Sequence, residues 1–149
     1  MQRQHCRFVV ALAVCVLVPV TMASAQKQIS RPFRMAAHSQ AVISMVDLSV
    51  VAHAEGVASH MGEITADASG SATDLVTNGT MTTANGDVVY WAQAAGSDVV
   101  TITGGTGRFE GASGQFTLVV LMDGPPIVDP VAGTMTMNYI WTASGTITY

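Results

Sequence analysis

Over residues 8–20 apolar side chains follow one another almost without a break, whereas from residue 42 onward they alternate with polar ones in short runs punctuated by Gly, Pro, Asn and Asp. Alternation at period two is the signature of half-buried strands, and the punctuation marks turns. The pattern predicts strands over 42–52, 63–68, 79–83, 88–94, 99–103, 115–122, 134–143 and 146–149. The stretch 41–54 is rich in Val and Ile and carries Ser and Asp, which weaken a helix interior, so it too reads as strand. Asn85-Gly86 supplies the left-handed residues of a tight hairpin between the third and fourth strands. Pro125, Pro126 and Pro130 cannot donate to a ladder, so 123–130 reads as a loop. Eight short strands at regular spacing describe an all-β sandwich or closed barrel.

The sixth strand favours the barrel. Phe116, Leu118, Val120 and Met122 fall on one face and Val119 and Leu121 on the other, so both faces need cover. The seventh places Met135, Met137, Tyr139 and Trp141 together, a stripe that suits a lumen wall or a subunit contact equally. If a ligand cavity exists, Tyr90, Tyr139, Trp141 and Met137 are the residues expected to line it, with Asp47 as the nearby acid.

The apolar run at the start changes the counts. Arg3 and Arg7 lead into it without an acid, and Ala23-Ser24-Ala25 ends it with the small residues of a signal-peptidase site. At about 13 residues it is shorter than the roughly 20 a bilayer span needs, which predicts a signal peptide over 1–25, cut after Ala25, and no membrane anchor. Lipidation at Cys15 is the alternative, disfavoured by the bulky Val14 before it. Removing 25 of 149 residues leaves 124, one domain's worth, as a secreted or periplasmic protein. Cys6 and Cys15 leave with the signal, and with them any disulfide, thiol nucleophile or cysteine metal site.

The remainder carries Lys27, Arg31, Arg34 and Arg108 against ten acids, a net charge of −6 that repels phosphate backbones and argues against nucleic acid as a partner. Three of the bases fall in 26–41, an N-terminal arm read as a solvated, partly disordered terminus or as a contact for anionic lipid or a neighbour's acidic surface; the barrel domain is then 42–149. Asp47, in the middle of an apolar predicted strand, either faces water or sits in the lumen, where burial would raise its pKa and suit it to acid–base chemistry. His38, His53 and His60 lack the spacing of a zinc pair, so no metal is expected. Asn78-Gly79-Thr80 is a glycosylation sequon in a eukaryotic secretory pathway and otherwise a turn.

The glycine-rich stretch Thr103-Gly104-Gly105-Thr106-Gly107-Arg108-Phe109-Glu110-Gly111-Ala112-Ser113-Gly114 allows a sharp reversal with Phe109 folded back as a plug over the barrel mouth. It is not a dinucleotide fingerprint, since Glu110 stands where a Gly is required, nor a phosphate loop, which needs Gly-Lys, nor the Gly-x-Ser-x-Gly elbow of hydrolases. From Ile102 to Gln115 it resembles the glycine-rich connection of plant allene oxide cyclases, less closely that of dirigent proteins, and more closely that of secreted bacterial proteins with the same barrel. Gly56-Val57-Ala58-Ser59-His60-Met61-Gly62, Ala84-Asn85-Gly86-Asp87 and the Gly-Thr-Ile-Thr-Tyr ending add to the resemblance. It implies an eight-stranded antiparallel barrel with an interior cavity, often trimeric and without cofactor. Allene oxide cyclases close an epoxide into a cyclopentenone, and dirigent proteins steer phenoxy-radical coupling; no active-site residue carries over, because the matched segments hold none.

Two functions remain open. One is a cofactor-free cyclase or isomerase acting on a small hydrophobic substrate in the lumen. The other is a non-catalytic protein that binds a hydrophobic ligand or has a structural role at the cell envelope.

Overall fold

In the computed structural model, which describes residues 28–73, 77–94 and 96–149, burial alternates residue by residue from the start. Phe33, Met35, Ala37, Ser39 and Ala41 are buried while their neighbours are exposed, and this period of two defines β1, Ser30–Ser44. The expected signal peptide 1–25 and its cut after Ala25 lie outside the described residues.

The strands that follow are β2 Ser49–Ala58, β3 Gly62–Ser71, β4 Thr77–Thr83, β5 Val88–Gln93, β6 Val99–Gly105, β7 Ser113–Met122, β8 Ile127–Asp129 and β9 Thr134–Thr148. Each of β1 to β6 pairs antiparallel with the next, β7 pairs with β9, and β9 returns to β1. Those eight strands close an up-and-down barrel, and β8 lies at the edge against the first residues of β9. Closure leaves no open edge around the ring, which is how so small a sheet avoids edge-to-edge pairing. Among the described residues no helix is long and apolar enough to cross a membrane.

The observed strands correct four expectations. A single strand over 42–52 does not form: β1 ends at Ser44, the chain turns through Met45–Asp47, and β2 starts at Ser49. From Ser30 onward the arm expected over 26–41 is therefore barrel wall. Its later inward positions, Ala37, Ser39 and Ala41, give too weak a hydrophobic signal for strand after Arg31 and Arg34. The strands expected over 134–143 and 146–149 are one element, since Ala143-Ser144-Gly145 continues the ladder opposite β1 and β7 without a turn. Within the expected 123–130 loop, Ile127–Asp129 forms β8, with Pro125, Pro126 and Pro130 just outside its ladder.

The barrel has two unlike ends. At one, the glycine-rich connection makes a 3₁₀ turn over Gly107–Phe109 and drives Phe109 into the barrel, fully buried and edge-on to Tyr149 at 4.9 Å between centroids. Gly107 has φ +59°, and a Cβ there would collide with the carboxylate of Asp87, which pairs with Arg108 at 3.4 Å. Arg108 in turn covers the Phe109 ring at 4.8 Å. Phe33, Phe116 and Ile147 complete the plug, the first two with centroids 4.9 Å apart. At the other end, where β1, β3, β5 and β7 finish, no such plug is present among the described residues. That end carries exposed Met45, Val46, Leu48, Val120, Met122 and Val131.

Candidate functional site

Side-chain size is distributed unevenly around the lumen. On β1, β2 and β3 six of the inward positions are alanine (Ala37, Ala41, Ala52, Ala54, Ala66 and Ala68), while the facing strands place Met81, Trp91, Phe116 and Leu118 inward. The large residues lean across the small ones and fill the barrel's middle, where a void of about 10 Å³ remains. That is at the lower limit for a water molecule, and its lining offers almost no polar partner, so it is a packing gap. Toward the unplugged end the lumen widens into a pocket of about 170 Å³ walled by Trp91, Trp141, Tyr139, Leu118, Val120 and Ile43, with Thr77 and Gln93 as polar contributors. Larger depressions, about 540 Å³ beside Glu55 and Glu63 and about 530 Å³ beside Asn78 and Tyr90, lie on the outer wall and open broadly to solvent. The mouth pocket is smaller but better enclosed, and three aromatic side chains, Trp91, Tyr139 and Trp141, wall it.

Trp91 reaches this position because of a glycine. Gly79 lies opposite it in the β4–β5 ladder, and a Cβ on Gly79 would fall on the indole and 2.5 Å from the Asp67 carbonyl. Trp91 is 5 % exposed and Tyr90, its neighbour, 41 %. The expectation that Tyr90 lines the lumen is thus reversed: Tyr90 stands on the outer wall and Trp91 takes the inner place.

Tyr139 and Trp141 share the inward face of β9 and line the pocket, as expected of residues two apart. Met137, one step nearer the rim on that face, accepts a hydrogen bond from the Tyr139 hydroxyl at 3.1 Å on its sulfur. Burial pushes the Tyr139 hydroxyl's pKa above 10. Asp47 is not in a strand and not in the lumen. It occupies the exposed β1–β2 turn, where its carboxylate accepts from the Ser49 amide (3.0 Å) and hydroxyl (2.8 Å). Hydrogen bonds from Ser44 and Ser49 pull its pKa down to about 2, the opposite of a proton donor tuned toward neutrality. Leu48 beside it takes φ +58°, a left-handed conformation that lets this turn close.

The histidines lie apart on the surface. His53 pairs with Asp67 at 2.7 Å on the outer wall, and the His60 ring meets the Pro32 carbonyl at 3.0 Å. His38 faces out opposite Glu55. Among the described residues no three His, Cys, Asp or Glu side chains converge as metal ligands, and no Asp, Glu, His, Lys or Arg lines the mouth pocket. What the arrangement can do is enclose an apolar group between two indoles and a phenol. One contributor was missed by sequence reasoning, Trp91; Ser39, 6 % exposed and facing inward opposite Tyr139, lies outside the pocket's lining.

No family model matches the chain, and no relative emerges from curated proteins. Among solved structures the chain is similar to the pterocarpan synthase dirigent protein GePTS1, at 15 % identity over 80 % of this chain and 87 % of that one, with a TM-score of 0.43.

Proposed function

We propose that the protein binds a small hydrophobic molecule in the open mouth of its barrel, outside the cytoplasm, without turning it over. One observation carries this reading: a pocket of about 170 Å³ with two tryptophans and a tyrosine in its wall and no charged side chain among the described residues lining it. A dry apolar cavity of roughly 150 Å³ is enough for benzene, so this pocket fits one six-membered ring with a short substituent, the rest of a longer ligand protruding through the mouth. A cyclase or isomerase would want a carboxyl or imidazole against the substrate, and Asp47, the acid expected there, lies in the outer turn. The Ala-Ser-Ala motif before Gln26 supports secretion or a periplasmic location. Exposed Val119 and Leu121 on the outer face of β7 support cover by further copies of the chain, a homotrimer being the arrangement we favour.

Trp91 and Trp141 are the chain's two tryptophans, and both line the pocket. Single-tryptophan variants, Trp91→Phe and Trp141→Phe, titrated with toluene or a small phenol, should both change emission. If neither responds to any monocyclic probe while both remain folded, the pocket is not a binding site and the structural reading of the barrel replaces this one.

A further inference from the structure

Among the described residues Tyr90 is the one aromatic side chain left exposed, and the outer wall around it is polar. The ladder builds this setting. Trp91 pairs with Ile102 but Tyr90 pairs with Gly104, so Thr103 is the extra residue of a β-bulge, a device that re-aims side chains. Gly104 puts no side chain beside the ring, and even a Cβ there would stay 3.7 Å from it. In the row across the sheet from Tyr90 come Thr80 on β4 and then Asp67 on β3; one step along, Asn78 stands beside Ser69. With Thr103, these side chains line the outer depression of about 530 Å³. Strand spacing of about 4.8 Å and two-residue steps of about 6.7 Å make its floor roughly 10 Å by 7 Å. The His53 ring holds Asp67 Oδ1 at 2.7 Å, which orients the carboxylate while leaving it largely in solvent.

We infer that this depression is a saccharide site, taking a neutral sugar of one or two pyranose rings. A pyranose presents a flank of C–H groups and a rim of neighbouring hydroxyls. The weakly positive C–H hydrogens settle on the electron-rich face of a tyrosine ring. The hydroxyls need acceptors and donors side by side: Asp67 accepts, the Asn78 amide does both, and the hydroxyls of Ser69, Thr80 and Thr103 adapt to either. Bonds to the Asp67 carboxylate are the stronger, charge-assisted kind. Neutrality follows because no Lys or Arg lines the depression among the described residues, and Asp67 repels an anion. The open shape fits the same chemistry. A sugar's outward hydroxyls keep their water there, whereas an apolar ligand would leave much of its surface wet.

Methyl β-glucoside, methyl β-glucuronide, cellobiose and lactose are the probes, added to protein made in a bacterial host so that Asn78, in its sequon, carries no glycan. The readout is the Tyr90 ring resonances of ¹³C-labelled protein, assigned with Tyr90→Phe. They should shift with at least one neutral sugar, at a dissociation constant of roughly 1–10 mM for so open a site. Tyr90→Ala should weaken that sugar at least about tenfold, and Asp67→Asn and Asn78→Ala each about three- to tenfold. None of the three should alter toluene binding at the mouth. No neutral sugar bound at about 50 mM, or a sugar bound with the Tyr90 ring unmoved, overturns the inference and leaves the mouth pocket untouched. Glucuronide bound more tightly than glucoside overturns neutrality. If Tyr90→Ala converts an oligomer to a monomer in sedimentation, the face is a contact between copies and the saccharide site falls.

Discussion

Replacing Phe109 with Ala tests whether the two ends of the barrel do separate work. Phe109 is 0 % exposed, edge-on to Tyr149 and roofed by Arg108, so truncation leaves a cavity that the closed ring around it cannot easily collapse. Buried Phe→Ala changes cost about 3–5 kcal/mol. The structure describes 118 residues, and at roughly 2.1 cal/mol/K per residue the unfolding entropy is about 0.25 kcal/mol/K, so Tm should fall by about 12–20 °C. Thermal unfolding by circular dichroism measures this directly. Toluene binding at 20 °C should be unchanged, because the mouth pocket lies at the opposite end of the strands. A fall of less than about 5 °C, or a folded variant that no longer binds the probe, refutes the division into a structural plug and a binding mouth.

Gly107→Val forces a β-branched residue into φ +59° and against the Asp87 carboxylate; Tm should drop by about 4–8 °C with probe binding per folded molecule intact, as scanning calorimetry and fluorescence titration would show. Asp47 has its pKa lowered to about 2, so its bonds to Ser44 and Ser49 stabilise the fold above about pH 4 and fade as pH falls toward 2. The Tm difference between wild type and Asp47→Asn should therefore be positive at pH 6 and vanish near pH 2, with ligand affinity equal in both. His53 is raised above 6.5, first by its hydrogen bond to Asp67, so that pair contributes below pH 6.5 and is lost as pH rises through the raised value. An NMR titration of the His53 ring should show this, and Asp67→Asn should bring its pKa back down.

Alternation at period two made the barrel legible, and β4 shows why: Asn78, Thr80 and Thr82 face out, while Gly79, Met81 and Thr83 face in. What it could not fix was how that pattern passes to β5. A two-residue loop centred on Asn85-Gly86 would set Met81 opposite Tyr90 and turn Tyr90 inward. The observed loop is one residue longer: Thr83 N–H donates to the Asp87 carbonyl at 2.9 Å, and Gly86 alone takes positive φ, at +88°. Met81 then faces Val89, Gly79 faces Trp91, and every β5 side chain changes sides. The same arithmetic misplaced Asp47, since one apolar run over 42–52 hides a turn whose only local sign is Ser44, Asp47 and Ser49 at bonding distance from one another's backbone. Tyr139 and Trp141 were legible because no turn interrupts β9 between them. Ser39 was not, because a lone serine among alanines gives no sign of which face it shares until its partner strand is known.

The seam between β1 and β9 runs from Ser30 opposite Thr148 to Ser44 opposite Thr134, joining the two ends of the barrel sequence. Until the last strand has been synthesised, β1 has one neighbour instead of two, and the ring is an open, curling ribbon. Pairings between residues so far apart in sequence make folding slow, typically milliseconds to seconds. The nascent chain therefore spends its early life with unpaired edges, when a chaperone or a second copy can pair with it. Were the chain exported as proposed above, this delay would have a use: a barrel that cannot close before β9 emerges stays threadable.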